Sequence, residues 1–285
     1  MEIKINGHEA DITLDSEKTI GDVMAGMEQW LASSGYRLSG LSVDGQAADE
    51  SRLDDFFSRE ISAVKVLEIY TSSLAELTAE SLLNLLADAQ EYESLDFQDK
   101  NQFIKNWKEK AQALFIKEQM PELYDIFVNS FTGQIDPRVV FSITEERLRE
   151  VKEPLQEFSN LRLLLEETCT RLIDLALDIQ TGKEGRAAQT IQIFSNVAEK
   201  ILRILRQFDI QGYLSRGTDD DKSFGRIIEE FGDLVKDLLE AYEKHDTVLV
   251  GDLAEYEASP KLKELYTAIT KNIRHQAAEP EQVKI

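Results

Sequence analysis

The chain has 285 residues, of which 42% are hydrophobic and 30% are charged, as is typical of a folded globular protein. Its 54 acidic and 32 basic residues give a formal net charge of −22. A negative field of this size repels phosphate backbones and anionic membrane surfaces. The composition therefore argues against nucleic-acid and membrane partners and favours basic ones.

Residues 1–71 predict a small sheet that begins with a β-hairpin. Ile3 and Ile5 alternate with charged residues, and Asn6-Gly7 readily takes up the two positive φ values of a type I′ turn. The alternation resumes over residues 10–14. We therefore expect two antiparallel strands joined by this turn.

The rest of this segment predicts one helix and two further strands. Apolar residues at helical spacing over residues 20–31 indicate the helix, which Gly35 ends. A short strand is expected at residues 41–43, before the turn dipeptide Asp44-Gly45, and a central strand at residues 64–70. The order strand, strand, helix, strand, short helical turn, strand is that of a β-grasp domain.

The opening residues also show a family resemblance. The segments Met1–Gly7 and Thr19–Met24 resemble the start of the ubiquitin-like sulfur-carrier proteins of the ThiS and MoaD type, over residues 1–31. The resemblance implies a β-grasp fold and, for carrier activity, a C-terminal diglycine whose carboxylate is adenylated and thiolated. Here the last strand instead runs on past Thr71 into a long helical region. We therefore interpret residues 1–71 as a ubiquitin-like domain used for docking rather than as a carrier.

From Ser73 onward the apolar pattern changes to a helical period of about 3.6 residues. It predicts helices from Ser73 to about Tyr92, over residues 103–115, from Pro121, and over residues 138–153, where Pro154 ends the last one. We expect residues 73–153 to form a helical linker subdomain.

Four longer apolar patterns follow Pro154. They run over residues 161–179, 191–208, 224–242 and 262–273. Short loops between long amphipathic helices favour antiparallel neighbours, so we expect an antiparallel four-helix bundle over residues 154–275 and a flexible tail over residues 276–285. The predicted fold class is α+β: an N-terminal ubiquitin-like β-grasp domain followed by a mostly helical region that ends in this bundle.

The sequence contains no recognisable catalytic or cofactor motif. Cys169 is the only cysteine, which excludes an intrachain disulfide and a cysteine-based metal cluster, and the three histidines are far apart in the chain. A calcium loop starting at Asp219 would need glycine where Phe224 stands, so we expect these acids to favour a helix start instead. We predict no cofactor, no metal and no enzymatic activity. An enzyme or ligand-binding protein with a site in the cleft between the domains is the alternative.

One candidate set of partner-binding residues is basic. Lys200, Arg203 and Arg206 fall at three-residue steps on one face of a predicted helix. This basic strip either binds a partner or a phosphate group, or it neutralises acidic neighbouring helices in the same bundle. A nucleic-acid role would be abandoned if these side chains paired internally with acids.

The second candidate set lies between two predicted bundle helices, in a segment that mixes aliphatic and acidic residues. It consists of Asp252, Glu255 and Tyr256. The segment either forms an acidic docking edge, or it is a short helix around residues 249–256 whose apolar residues close the end of the bundle.

These features predict a non-enzymatic interaction protein, such as a scaffold, an adaptor or an export-chaperone-like protein. The expected partner is another protein, and the sequence leaves a homodimer open. No apolar stretch approaches the ~18 residues of a transmembrane helix, and no signal peptide is visible. We therefore expect a cytoplasmic protein.

Overall fold

A computed structural model of the chain describes residues 1–14, 16–48, 53–131, 135–214 and 220–273. The chain divides into two compact units, with Met1–Glu145 in the first and Glu146–Ala277 in the second. The expected tail over residues 276–285 and the start of the calcium-type loop at Asp219 lie outside the described residues. The α+β class is confirmed, because a mixed sheet is followed by a helical region.

The first unit contains one mixed sheet among its described residues. Its strands are β1 (Glu2–Ile5), β2 (His8–Glu9), β3 (Tyr36–Val43), β4 (Gln46–Ala47) and β5 (Val66–Ser73), and its first helices are α1 (Ile20–Ser33) and α2 (Leu53–Phe57). The strand order is β2-β1-β5-β3-β4. The central strand β5 is parallel to β1 and antiparallel to β3, and α1 packs on one face of the sheet. This is the β-grasp order of elements that the sequence predicts.

The first hairpin forms as predicted at its turn, but its second strand is shorter than expected. Asn6 and Gly7 have φ values of 50° and 83°, the left-handed pair that a type I′ turn requires. The strand β2 holds only two residues. Ile12 and Leu14 pack against the core of the domain instead of continuing the strand, so their alternation reflects burial and not pairing.

The third strand is longer than the sequence predicts, since it begins at Tyr36 and not near Leu41. Its first residues pair with the end of β5, where Tyr36 lies opposite Ser73. A β-bulge at Ser39 shifts the register between β3 and β5. This shift, together with exposed polar residues, breaks the alternation by which a strand is recognised in a sequence.

Five helices lie between β5 and Pro154 in the described part of the chain. They are α3 (Leu74–Ser94), α4 (Phe97–Glu109), α5 (Ala111–Gln119), α6 (Pro121–Phe131) and α7 (Pro137–Lys152). Helix α3 begins where β5 ends, and the Ser73 hydroxyl and the Glu76 carboxylate form a capping box at this junction.

The prediction of a single helix over residues 103–115 is wrong. Two helices, α4 and α5, meet at Lys110, whose backbone is extended with φ −63° and ψ 140°. Three side chains around the break donate to the buried carboxylate of Asp88: Trp107 Nε1 and Lys110 Nζ lie 2.8 Å from its oxygens, and Gln112 Nε2 lies 2.5 Å away. No glycine or proline marks this break in the sequence.

The second unit contains the predicted antiparallel bundle. Its described helices are α8 (Pro154–Gln180), α9 (Glu184–Ile210), α10 (Asp220–Glu243), α11 (Thr247–Asp252) and α12 (Ser259–Asn272), with a π-helical segment (Leu253–Ala258) before α12. Gly182, at φ 74°, ends α8 and reverses the chain into α9. Phe194, Phe208 and Leu265 lie in the fully buried core. Here and in the rest of the described chain, no helix is both long and apolar enough to span a membrane.

The short separate helix expected around residues 249–256 is not what the structure shows. Helix α11, the π segment and α12 run on as one helical stretch, since Leu253 and Ser259 both have right-handed helical φ and ψ. Pro260 has no N–H to donate to the Tyr256 carbonyl, and its ring would crowd that oxygen in an α-helix. The wider π turn before Pro260 accommodates this mismatch.

Candidate partner-binding surface

Lys200, the first residue of the basic strip, lies on α9 and contacts two carboxylates of the same unit. Its Nζ is 2.8 Å from Glu157 Oε2 on α8 and 2.9 Å from Glu146 Oε1 on α7. Burial alone would lower the pKa of Lys200, but hydrogen bonds to these carboxylates outweigh burial and raise the pKa above its ordinary value. Burial likewise acts to raise the pKa of Glu146, and Lys200 outweighs it, so that this pKa is lowered.

Arg203, three residues further along α9, forms a bidentate ion pair with Glu150. Its Nε and Nη2 atoms each lie 3.0 Å from one oxygen of that carboxylate. Glu150 is only 2% exposed, and it also accepts a hydrogen bond from Arg147 at 3.2 Å. Arg206 has an interaction partner in the chain as well.

These contacts limit what the basic strip can bind. A cation that is hydrogen-bonded to a buried carboxylate cannot bind a phosphate without giving up this ion pair, and separating a buried ion pair is strongly unfavourable. Internal pairing with acids, the condition for abandoning a nucleic-acid role, is met at Lys200 and Arg203. Lys200 and Arg203 neutralise carboxylates of α7 and α8, and we therefore place no partner on the basic strip.

The second candidate set lies on α11 and the π segment. Asp252 is exposed, Glu255 is half-buried and Tyr256 is 68% exposed. Neither carboxylate takes part in an ion pair among the described residues. The neighbouring residues that enter the bundle core are Val250 and Ala254. The candidate residues are therefore free to contact a partner without disturbing this core.

Helix α8 and the stretch from α11 to α12 run antiparallel in close contact. A Cβ atom on Gly251 would lie 3.0 Å from the Cβ of Ala176, so the glycine allows α11 to approach α8 closely. Further along the pair, the Cys169 thiol lies 3.6 Å from the Ser259 carbonyl oxygen. Residue numbers rise along one helix while they fall along the other, which establishes the antiparallel direction.

Large apolar side chains are exposed on one side of this contact. Ile173 and Leu177 of α8 are 48% and 56% exposed, and Val248 of α11 is 73% exposed. Viewed along each helix from its N-terminus, Ile173 and Leu177 are rotated away from Ala176 in the same sense as Val248 is rotated away from Gly251. In an antiparallel pair this displacement brings them to the same side of the contact.

Asp252 and Tyr256 are displaced in that sense too, so they share a surface with the exposed apolar residues. We call this surface the α8–α11 face, and it consists of Ile173, Leu177, Val248, Asp252 and Tyr256. The α8 residues were not predicted from the sequence, because only the apolar stripe that faces the core was assigned a role there. The signal that could have revealed them is a second, outward apolar stripe on α8, which also includes the 69% exposed Leu163.

The only cysteine lies inside the bundle. Cys169 is buried, and burial raises the pKa of its thiol, which keeps it protonated and weakly nucleophilic. Among the described residues, no group of three or more His, Cys, Asp and Glu side chains is placed to hold a metal ion.

Comparisons with known proteins match the two parts of the chain separately. Residues 1–73 match the family described as the TP0873 N-terminal domain, and residues 156–268 match a domain of unknown function, DUF8042. An uncharacterized protein of Treponema pallidum (strain Nichols) is 25% identical over 270 residues, which cover 94% of this chain and 96% of the relative. No solved structure matches the chain significantly. Neither family description refers to ubiquitin-like or sulfur-carrier proteins, so that resemblance stays an expectation from the sequence.

Proposed function

We propose that this protein is a non-enzymatic interaction protein of the scaffold, adaptor or export-chaperone kind, which acts in the cytoplasm and binds a protein partner through the α8–α11 face. The supporting observation is the group of large side chains exposed there, since Leu177, Val248 and Tyr256 are 56%, 73% and 68% exposed. Exposed apolar side chains that are grouped on one side of a protein mark sites that bind other proteins.

The carboxylates of this region indicate the chemistry of the partner. Asp252 and Glu255 form no ion pair among the described residues, and the whole chain carries a formal charge of −22. A partner segment that carries lysine or arginine beside apolar side chains complements both the carboxylates and the exposed apolar residues of this region. An amphipathic helix with one basic side fits the surface between two antiparallel helices, and we propose it as the bound segment.

The first unit supports an interaction role in a different way. Strand β5 does not end in a free carboxylate but continues into α3 through the capping box of Ser73 and Glu76. The end of β5 therefore offers no free carboxylate for the adenylation that activates a sulfur carrier. We propose that the ubiquitin-like domain serves as a docking module.

Site-specific photo-crosslinking in the source cell tests the proposal. A benzophenone-bearing amino acid at Val248 is expected to form adducts with one protein, which mass spectrometry identifies. The control carries the same amino acid at Gln192, which is exposed on α9 and does not belong to the α8–α11 face. The affinity of the identified protein is then measured for the purified chain and for Leu177→Glu, which is expected to bind at least tenfold more weakly.

The outcomes separate three cases. Equal adducts at Val248 and Gln192, or an unchanged affinity of Leu177→Glu, would contradict the proposed face. An adduct between two copies of the chain would identify a homodimer and would replace the basic partner by a second copy. A basic protein that crosslinks only at Val248 and loses affinity for Leu177→Glu would support the proposal.

A further inference from the structure

The edge of β3 is uncovered along its first half in the described sheet. Strand β4 pairs only with Ser42 and Val43, and the Ala48 amide donates to the Leu41 carbonyl oxygen at 2.8 Å. Before Leu41, no described strand lies on this side of β3. Such an edge presents N–H and C=O groups to which another extended chain can bind.

The strand register identifies these groups. Leu41 lies opposite Ile69, but its carbonyl faces β4, so this is a pair without hydrogen bonds between β3 and β5. Leu38 lies opposite Thr71, two residues further along β5. Hydrogen-bonded and non-hydrogen-bonded pairs alternate along an antiparallel ladder. The pairs of Leu38 with Thr71 and of Tyr36 with Ser73 are therefore also non-hydrogen-bonded, and the N–H and C=O of Leu38 and Tyr36 point away from β5, to the edge that no described strand covers.

The β-bulge gives Leu38 this orientation. Ser39 is the extra residue, and the Tyr70 ring covers the next residue, Gly40, where a Cβ would lie 3.3 Å from the ring. Without the extra residue, strict alternation from Leu41 would turn Leu38 to the opposite face of the sheet. With the bulge, Leu38 shares the face of Leu41 but is 44% exposed, whereas Leu41 is buried.

A groove of about 400 Å³ lies beside this edge, between α1 and β3. Met24 and Leu31 of α1, Leu38 of β3 and Phe57 of α2 give it an apolar lining. Glu28 on α1 and Arg37 on β3, which are both exposed, add one charge of each sign to the lining, so the charge preference of the occupant depends on the rest of the domain. The backbone groups of Tyr36 and Leu38, which no described strand pairs with on this side, therefore lie beside the apolar groove.

We propose that an extended basic segment of a partner protein adds to the Tyr36–Gly40 edge of β3 as a further strand and places alternate apolar side chains in this groove. Residues 1–71 hold 14 acidic and 6 basic residues, a net charge of −8 (6 − 14), so lysine or arginine at the intervening positions favours binding. The same negative charge opposes a second copy of this chain as the occupant. This contact is separate from the α8–α11 face, and either one can fail without the other.

Backbone-methylated peptides test the strand geometry. The probe is a fluorescein-labelled decapeptide in which valine and lysine alternate, titrated into the full chain and followed by fluorescence anisotropy. Two further versions carry N-methyl groups on all valine amides or on all lysine amides, which blocks one edge of the peptide or the other. Only one peptide edge can face β3.

One methylated peptide is therefore expected to bind within threefold of the parent, and the other at least tenfold more weakly, because it loses several backbone hydrogen bonds. Attraction by charge alone would affect the two methylated peptides equally, and that result would overturn the proposal. A parent peptide that does not bind would overturn it as well.

Two protein variants form a matched pair for the same titration. Leu38 is 44% exposed at the groove, and Leu83 is 45% exposed on α3, so Leu38→Lys and Leu83→Lys add the same charge at equally accessible positions. We expect Leu38→Lys to weaken peptide binding at least tenfold and Leu83→Lys to weaken it less than twofold, with unchanged circular dichroism for both. Equal losses would contradict the proposal. A chain that sediments as a dimer, and as a monomer only with Leu38→Lys, would assign the edge to a second copy and overturn the proposal of a partner peptide.

Discussion

The basic strip on α9 and the α8–α11 face belong to the same helical unit, and each contains polar residues that the sequence indicates as candidates for binding a partner. Lys200 and Arg203 are hydrogen-bonded to carboxylates of α7 and α8, at distances of 2.8 to 3.0 Å. Asp252 and Tyr256 instead face solvent, next to exposed apolar side chains. Whether a charged residue is available to a partner thus depends on what the neighbouring helices place opposite it.

This difference has a thermodynamic consequence. Removing one member of a buried ion pair leaves the other charged group without its partner, so residues of the strip should contribute to the stability of the fold. Side chains that are already exposed in the folded state gain little from folding, so residues of the α8–α11 face should contribute to binding alone.

The largest effect is expected for Glu150→Ala, which leaves Arg203 and Arg147 without a common acceptor. We expect the free energy of unfolding to fall by about 3 kcal/mol, as for other buried pairs that lose one partner. Glu167→Ala is the control, because Glu167 is 58% exposed in its pair with Arg171 and should contribute less than about 1 kcal/mol. Urea unfolding followed by circular dichroism measures both, and equal losses would contradict the comparison.

A smaller and pH-dependent effect is expected for Lys200→Met, which keeps the apolar stem and removes the charge. The pKa of Lys200 is raised, so its stabilisation is present below its ordinary pKa and is lost as pH rises through the raised value. The pKa of Glu146 is lowered, so its stabilisation is present above its ordinary pKa and is lost as pH falls through the lowered value.

The substitution should therefore cost about 1–2 kcal/mol at neutral pH, where both groups are charged, and less in acid. Urea unfolding of the parent chain and of Lys200→Met at neutral and at acidic pH measures this difference. A loss of stability that is the same at both pH values would show that the Lys200 charge does not contribute through the ion pairs.

Alanine substitutions of two helical glycines in the second unit should change the free energy of unfolding in opposite directions. Gly251→Ala brings a methyl group within 3.0 Å of the Ala176 Cβ, and we expect a net loss of about 1 kcal/mol from overpacking. Gly232→Ala meets no heavy atom within 4 Å, so the better helix propensity of alanine should stabilise the chain by about 0.5–1 kcal/mol. Thermal unfolding of both variants checks the signs, and stabilisation by Gly251→Ala would refute the close contact of α11 with α8.

The smallest effect on stability is expected for Val248→Glu, because this side chain is 73% exposed. The free energy of unfolding should change by less than about 0.5 kcal/mol. The affinity for the crosslinked partner should nevertheless fall at least tenfold. A variant that unfolds more easily by several kcal/mol would show that Val248 belongs to the fold and not to a binding surface.

Much of the fold follows from signals within a few residues of chain. The turn at Asn6-Gly7 and the helix end just before Pro154 each depend on the backbone preferences of one or two residues, and both were predicted. The break at Lys110 was not predicted, because no residue near it indicates a helix end, and the contacts that accompany the break are made with Asp88 on another helix. A sequence pattern reports local preference and cannot report such a distant acceptor.

The candidate site was predictable only in part for the same reason. The composition of the segment around Asp252 and Tyr256 indicated a surface, but the contribution of Ile173 and Leu177 depends on the packing of α11 beside α8. The internal pairing of Arg203 likewise depends on Glu150, which lies 53 residues earlier in the chain. Periodicity assigns residues to one face of a helix but does not identify the element that packs against that face.

The π segment before Pro260 also sets the rotational phase of α11. An α-helix advances by about 100° per residue, and a π turn accommodates one residue more than an α turn. Deleting that residue would rotate α11 by about 100° relative to α12. Gly251 would then leave its place against Ala176, and Val248 would move out of the α8–α11 face. A backbone irregularity next to one proline therefore determines which side chains of α11 the protein presents to its surroundings.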